Sequence, residues 1–210
     1  GEAPQVPQWA WIFLAVRETA RVMDIPLHLF RDLLDAFKQD CVTLRYTTWS
    51  DVLDYCRRSA NPVGRLVLIL HGHRDAQLFA WSDAICTALQ LANFWQDVGV
   101  DIRKDGRIYL PEEEWAECGL QREHFDEPTA PEPLRQCLKR QVERTWALFA
   151  EGRVLSCHLP FPLSAEIKLT WLGGQRILEK VEAQAFDTLS RRPKLTKLDG
   201  VRLLARVLAR

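Results

Sequence analysis

Apolar positions recur at intervals of three and four along almost the whole chain, the spacing that lines one face of an α-helix. The pattern predicts a first helix over residues 8–23. A second follows Pro26, puts Leu29, Leu33, Leu34 and Phe37 on one face, and runs to about Val42. Residues 48–50 offer capping side chains for a third, which starts near Asp51 and continues to Leu70, kinked in its interior by Pro62 and Gly64. A long helix is expected over 77–101. Residues 104–111 read as a loop, and Pro111 opens a short acidic helix through Glu112, Glu113 and Glu114. After a proline-rich connection, helices are expected over 132–156, 164–189 and 197–209, the last two joined by a polar turn at Arg191–Lys194. No stretch alternates with period two, so no sheet is expected. Long helices on short loops predict an all-α bundle with a central pocket, folded as a single domain over 1–210.

One helix departs from simple amphipathicity. Asn93, Asp97 and Asp101 stand at steps of four, with Gln90 three residues before them, so one helical face carries a polar ladder about 12 Å long. Carboxylates four apart repel and add nothing to a bare helix. The flanks (Ile85, Ala88, Leu89, Ala92, Phe94, Trp95, Val98) are apolar, which predicts a mostly buried helix, and buried carboxylates are paired or metal-bound. Oxygen ligands facing one way suit Mg²⁺. Arg103, Lys104, Arg107 and Tyr109 follow at once and are phosphate-binding groups. The alternative is a solvated helix face.

Composition narrows the classes. Lys+Arg and Asp+Glu both total 28, so the net charge is zero, and no basic stripe argues for a nucleic-acid partner. No apolar run approaches the ~18 residues of a membrane span. Six cysteines show neither a Cys-x-x-Cys pair nor a zinc-like spacing with the histidines, and read as reduced thiols in a cytoplasmic protein.

The second unusual segment is Tyr55-Cys-Arg-Arg-Ser-Ala-Asn-Pro-Val-Gly64. Small residues beside a proline allow close approach of another backbone or a ligand, and a helix-packing contact explains them equally well. Taken with the ladder and with Arg107-Ile-Tyr109-Leu-Pro111, this segment resembles the squalene/phytoene synthases, which join two prenyl chains head to head. Asp40 and Arg45-Tyr46 resemble that family's D-x-x-x-x-R-Y segment. Asn61-Pro62 stands where the family usually has Gly-Thr, and with Arg191-Arg-Pro-Lys-Leu195 this resembles the bacterial hopanoid-pathway branch, which forms hydroxysqualene.

The resemblance implies an isoprenoid synthase-type bundle that ionises a prenyl diphosphate, presqualene or farnesyl diphosphate, with Mg²⁺ held by Asn93, Asp97 and Asp101. It implies catalytic roles for Tyr55, Asp97 and Asp101. Substrate contacts would come from Arg57, Gly64, Gln90, Arg107 and Tyr109, with Gln90 positioning a water. Phe37, Phe94 and Trp171 join Tyr55 as candidate aromatic walls for a carbocation. A lipid product implies peripheral membrane contact. The alternatives are a phytoene-type or presqualene-diphosphate-forming synthase, or a non-catalytic helical assembly protein of the same fold. The family's first aspartate-rich motif is not found; Asp32-Leu-Leu-Asp35 lies downstream of its place and reads as a surface feature. With Gly1 at the start, the expectation is an N-terminally truncated enzyme, inactive alone and open on one side.

Overall fold

The computed structural model describes residues 9–208, and among them every regular element is helical. In chain order these are α1 (Ala10–Val22), α2 (His28–Asp40), α3 (Trp49–Ser59), α4 (Asn61–Leu70), α5 (Ala76–Asp105), α6 (Trp115–Cys118), α7 (Glu132–Gly152), α8 (Leu163–Ala183) and α9 (Lys197–Leu208). Single 3₁₀ turns cover Glu112–Glu114, Arg122–Phe125 and Leu155–His158.

The bundle is organised around α5, a helix of 30 residues. Asp75 caps its start, accepting hydrogen bonds from the backbone N–H of Gln77 (2.8 Å) and Leu78 (3.2 Å). Gly106 ends it in the left-handed conformation at φ +68°. Helices α3, α4, α7 and α8 pack around it. The core between α5 and α7 holds Leu91, Trp95, Leu134, Leu138, Val142 and Phe149, all fully buried. Trp95 donates its indole N–H to the Thr145 hydroxyl at 2.9 Å, so the one polar atom of this ring is satisfied inside the core.

The expected kinked helix over 51–70 is in fact two helices. Thr48 and Asp51 form a reciprocal capping box at the start of α3 (Asp51 N–H to Thr48 Oγ1, 3.1 Å; Thr48 N–H to Asp51 Oδ2, 2.8 Å). The chain then breaks at Ala60 (φ −121°, ψ −46°) and α4 begins with Asn61 and Pro62. Proline in the first turn gives up an N–H that has no helical acceptor anyway. The cost of about 3 kcal/mol for an interior proline is therefore avoided. Helix α8 ends six residues before the expected Leu189, because Ala185 and Phe186 adopt φ +53° and +59° and turn the chain back.

Helix α1 is the outlier. Its Trp11 and Phe13 are 71% and 73% exposed, and Ala20 alone among its residues is buried. No helix among the described residues is long and apolar enough to cross a membrane.

Candidate active site

Three segments that are remote in sequence converge near the C-terminal end of α5. The Tyr55 hydroxyl donates to the Asp40 carboxylate at 2.9 Å. Arg107 donates to the Asp40 carbonyl at 2.5 Å, satisfying the last carbonyl of α2, and to the Thr43 carbonyl in the loop beyond it at 3.2 Å. It also reaches the Tyr109 hydroxyl at 3.4 Å and lies 3.8 Å from the Asp40 carboxylate. Arg45 donates to the Gly106 carbonyl and so ties the same loop from the other side. Around these groups the rings of Tyr46, Tyr55, Phe94 and Tyr109 pack together. Phe94 and Tyr109 stack at 3.5 Å, and Tyr55 lies 5.9 Å from each. Burial, the neighbouring Tyr109 and the Asp40 acceptor hold the Tyr55 phenol well above its ordinary pKa. It stays a neutral donor.

The ladder lies on the next face of α5. Asp97 is 8% exposed and forms a forked pair with Arg192, whose Nε donates to Oδ1 and whose Nη2 donates to Oδ2 at 2.9 Å. Asp101 is half-buried, and its carboxylate makes no hydrogen bond or ion pair among the described residues; burial first, and then the Asp97 charge, push its carboxyl up to about 6 against the pull of Arg107. Asn93 is exposed and Gln90 half-buried on the same side. A narrow pocket lined by Phe94, Val98, Asp101, Arg107 and Tyr109 joins the carboxylate face to the aromatic one.

Arg192 arrives on a strap, residues 187–196, laid across α5. The Gly99 N–H donates to the Thr188 carbonyl (3.2 Å), Arg103 to the Leu189 carbonyl (3.1 Å) and Gln96 to the Pro193 carbonyl (2.6 Å). A Cβ at position 99 would lie 2.2 Å from the Leu189 oxygen, so only glycine lets the strap approach this closely. Asp187 anchors the near end, accepting from the Ala130 N–H (2.9 Å) and the Ser190 hydroxyl (2.7 Å). Asp199 anchors the far end, paired with Arg176 (2.7 Å) and Lys180 (2.9 Å) and capped by Thr196. These bonds offset the cost of two left-handed residues before the strap, about 1–2 kcal/mol each.

The other expected site residues fall elsewhere. Gly64 serves helix packing: a Cβ there would lie 2.3 Å from Ser82 Oγ and 2.5 Å from Cys86 Sγ, so the space belongs to α5 and not to a ligand. Arg57 is exposed and pairs with Asp54 (2.8 Å) and with Asp32 (3.8 Å), which is therefore a half-buried partner rather than a free surface charge. Asn61 is buried, accepting from the Thr87 hydroxyl at 2.9 Å. Thr87 is ten residues before Asp97, about 15 Å along α5, so the α3–α4 break shapes the groove remote from the carboxylates rather than their immediate wall. That groove, lined by Leu53, Arg57, Asn61, Asp83, Thr87 and Leu148, lies on the same α5 face as Gln90 and Asp97. Phe37 is 58% exposed, and Trp171 is tied to the Phe149 carbonyl at 2.7 Å, so neither joins the aromatic cluster. Arg192 went unassigned in the sequence. The available signal was that a buried Asp97 needs a partner, but a pairing across 95 residues of chain has no local signature.

The described residues hold no cluster of three or more His, Cys, Asp or Glu side chains suited to a metal. Two carboxylates and an amide, one carboxylate with no hydrogen-bond partner among the described residues, do fit Mg²⁺, which is usually bound by one or two carboxylates, several waters and substrate phosphates.

Comparison with known proteins identifies the family. The chain is 36% identical over 171 residues to the hydroxysqualene synthase of Rhodopseudomonas palustris, covering 81% of this chain and 58% of that protein. It is 33% identical over 184 residues to the hydroxysqualene synthase of Sinorhizobium fredii, covering 85% and 62%. It thus spans about three-fifths of the length of these curated relatives. The crystal structure of squalene synthase HpnC from Alicyclobacillus acidocaldarius superposes with a TM-score of 0.79 at 39% identity, covering 83% of this chain and 66% of that one. The squalene/phytoene synthase family matches residues 2–199, and the chain belongs to that family.

Proposed function

We propose that this protein is a prenyl diphosphate synthase of the hydroxysqualene-forming branch, acting with Mg²⁺ on presqualene diphosphate. The observation that carries the reading is the placement of Asp97 and Asp101 on one buried helix beside an aromatic cluster, in a chain similar to two hydroxysqualene synthases. Asn93, Asp97 and Asp101 would hold the cation, which neutralises the charge that develops on a departing diphosphate. The groove along α5 past Thr87 and Gln90 offers room for prenyl chains on the same face. Tyr55 and Phe94 back the Tyr109 ring, and Arg107 fixes the loop that carries it. Such a wall keeps water from a carbocation and presents ring electrons to it. Gln90, half-buried three residues before Asn93, would orient the single water that the hydroxylated product requires.

The test is incubation of the full-length protein with presqualene diphosphate, and separately with farnesyl and geranylgeranyl diphosphates, with and without Mg²⁺. Hydroxysqualene from presqualene diphosphate only when Mg²⁺ is present is the expected result. Phytoene-type product from geranylgeranyl diphosphate, or consumption independent of a divalent cation, would overturn it.

A further inference from the structure

Asp97 is placed as a cation ligand, yet both of its oxygens are already occupied. Arg192 holds them in a fork, with the carboxylate 12% exposed and the guanidinium-bearing side chain 36% exposed. A divalent cation approaching Asp97 meets a fixed positive charge at the very atoms it needs. The strap that brings Arg192 is held to α5 by few bonds: one from Gly99, one from Arg103, one from Gln96 and the fork itself. Its attachment is also imperfect, because the buried Thr188 hydroxyl finds no partner. The two ends, by contrast, are firmly fixed through Asp187 with the buried core residue Leu189 and through Asp199, so the stretch about Arg192 can lift without release of the ends.

We infer that Arg192 is an internal counter-ion which a divalent cation must displace from Asp97, so that cation binding and lifting of the strap are coupled. This rests on the reading of Asp97 as a cation ligand. In the empty protein, Arg192 offsets the desolvation of a buried carboxylate and keeps the strap down. When the cation takes Asp97, that charge partner is lost and two positive charges are left adjacent. The strap then exchanges its closed position for an open one. The coupling is reciprocal: whatever weakens the Arg192 fork tightens the cation, and whatever binds the cation loosens the strap. The Gln184 side chain donates to the Arg191 carbonyl at 2.9 Å, so lifting the strap also gives up this bond, while the side chains of Arg191 and Lys194 are exposed.

The experiment measures Mg²⁺ and Mn²⁺ binding by titration calorimetry for the unaltered protein, Arg192→Gln, Arg192→Lys and Asp97→Asn, with hydrogen exchange followed at residues 188–193. Arg192→Gln should bind the cation about five- to a hundredfold more tightly, the usual range of a coupling between sites. Arg192→Lys, which keeps the charge but loses the fork, should fall between. Cation should speed exchange of the strap in the unaltered protein. If the unaltered protein binds too weakly to measure, binding gained by Arg192→Gln supports the inference and its absence overturns it. Equal or weaker cation binding by Arg192→Gln, or strap exchange that is unchanged or slowed by cation, overturns it as well. Asp97→Asn separates the two ideas. If it loses binding while Arg192→Gln shows no gain, only the counter-ion role fails. If it binds as well as the unaltered protein, Asp97 is not a ligand and both fail.

Discussion

Two carboxylate regions meet near the C-terminal end of α5, and they are built in opposite ways. Asp40 is a closed account: the Tyr55 hydroxyl bonds it, Arg107 lies beside it, and the rings of Tyr46, Tyr55, Phe94 and Tyr109 close around the pair. Asp97 and Asp101 are left open. One is held by a single arginine from a strap remote in sequence, and the other feels Arg107 only through space, with no hydrogen bond to its carboxylate among the described residues. A satisfied network positions, because every polar atom in it would lose a bond if it moved. A buried carboxylate with a displaceable partner, or none, has free coordination capacity, and that is where chemistry can be done. The same residue type therefore serves as scaffold in one region and as candidate ligand in the other.

The largest effect that tests this contrast is on turnover. Asp97→Asn should lower Mg²⁺-dependent conversion of presqualene diphosphate by at least about a hundredfold, the usual consequence of removing one electrostatic stabiliser from an active site. Its helical circular dichroism should be unchanged, since Asn keeps the volume and the helix remains packed on α7 and α8. Near-normal turnover in this variant would remove Asp97 from the machinery.

Asp40→Ala should act in the reverse manner. It leaves the buried Tyr55 hydroxyl without its acceptor, a loss of about 1–3 kcal/mol. At roughly 2–4 °C per kcal/mol for a chain of this size, the thermal midpoint should fall by several degrees, while Mg²⁺ affinity stays as it was. A variant with unaltered melting and weakened cation binding would show that the two regions are not separate.

Gly99→Ala is a finer probe. Alanine is favoured over glycine in a helix by about 1 kcal/mol, so a free helix would gain. Here the new Cβ would meet the Leu189 carbonyl at 2.2 Å, and the strap must shift. The expected outcome is net destabilisation with faster exchange at residues 188–193; a stabilised protein with a protected strap would mean that the contact is looser than the geometry states.

The smallest effect concerns pH. Asp187 and Asp199 both have carboxyls held below the usual range. At Asp187 burial opposes the shift, and bonds from Ala130 and Ser190 outweigh it; at Asp199 the leading causes are Lys180 and Thr196. A group whose pKa is lower folded than unfolded contributes stability fully above the unfolded value, about 3.9, and loses it as pH falls through the folded value. The strap anchors should thus weaken only in strong acid. Melting followed from pH 5 downward should steepen below about pH 4, and Asp199→Asn should flatten that slope; an identical slope in the variant would remove Asp199 from the linkage.

Much of this was legible in the chain. The three- and four-residue spacing of apolar positions was enough for an all-α bundle and for the location of the long helix with its ladder, because helix periodicity is a local property. Thr48 was readable among the capping side chains of residues 48–50 for the same reason, whereas the reciprocal bond with Asp51 was not. Proximity of Tyr55, the ladder and Arg107-Tyr109 came from resemblance, since nothing local brings Asp40 to Tyr55 or Tyr109 to Phe94. The break at Ala60 was misread as a kink because Pro62 is compatible with either, and only the packing of Asn61 on Thr87 selects a fresh helix start. Gly64 had the same ambiguity, and Ser82 and Cys86 decide it for packing.

The amino-acid sequence by itself determined which faces are apolar and where two carboxylates stand four residues apart. Tertiary structure alone decided what those carboxylates meet. Arg192 reaches Asp97 across 95 residues of chain because Ala185 and Phe186 reverse the backbone and Gly99 admits it. Those two conditions are met only once α5, α8 and the strap lie against one another. Pairing of charges at such separation is set by the closure of the whole fold, and no local propensity encodes it.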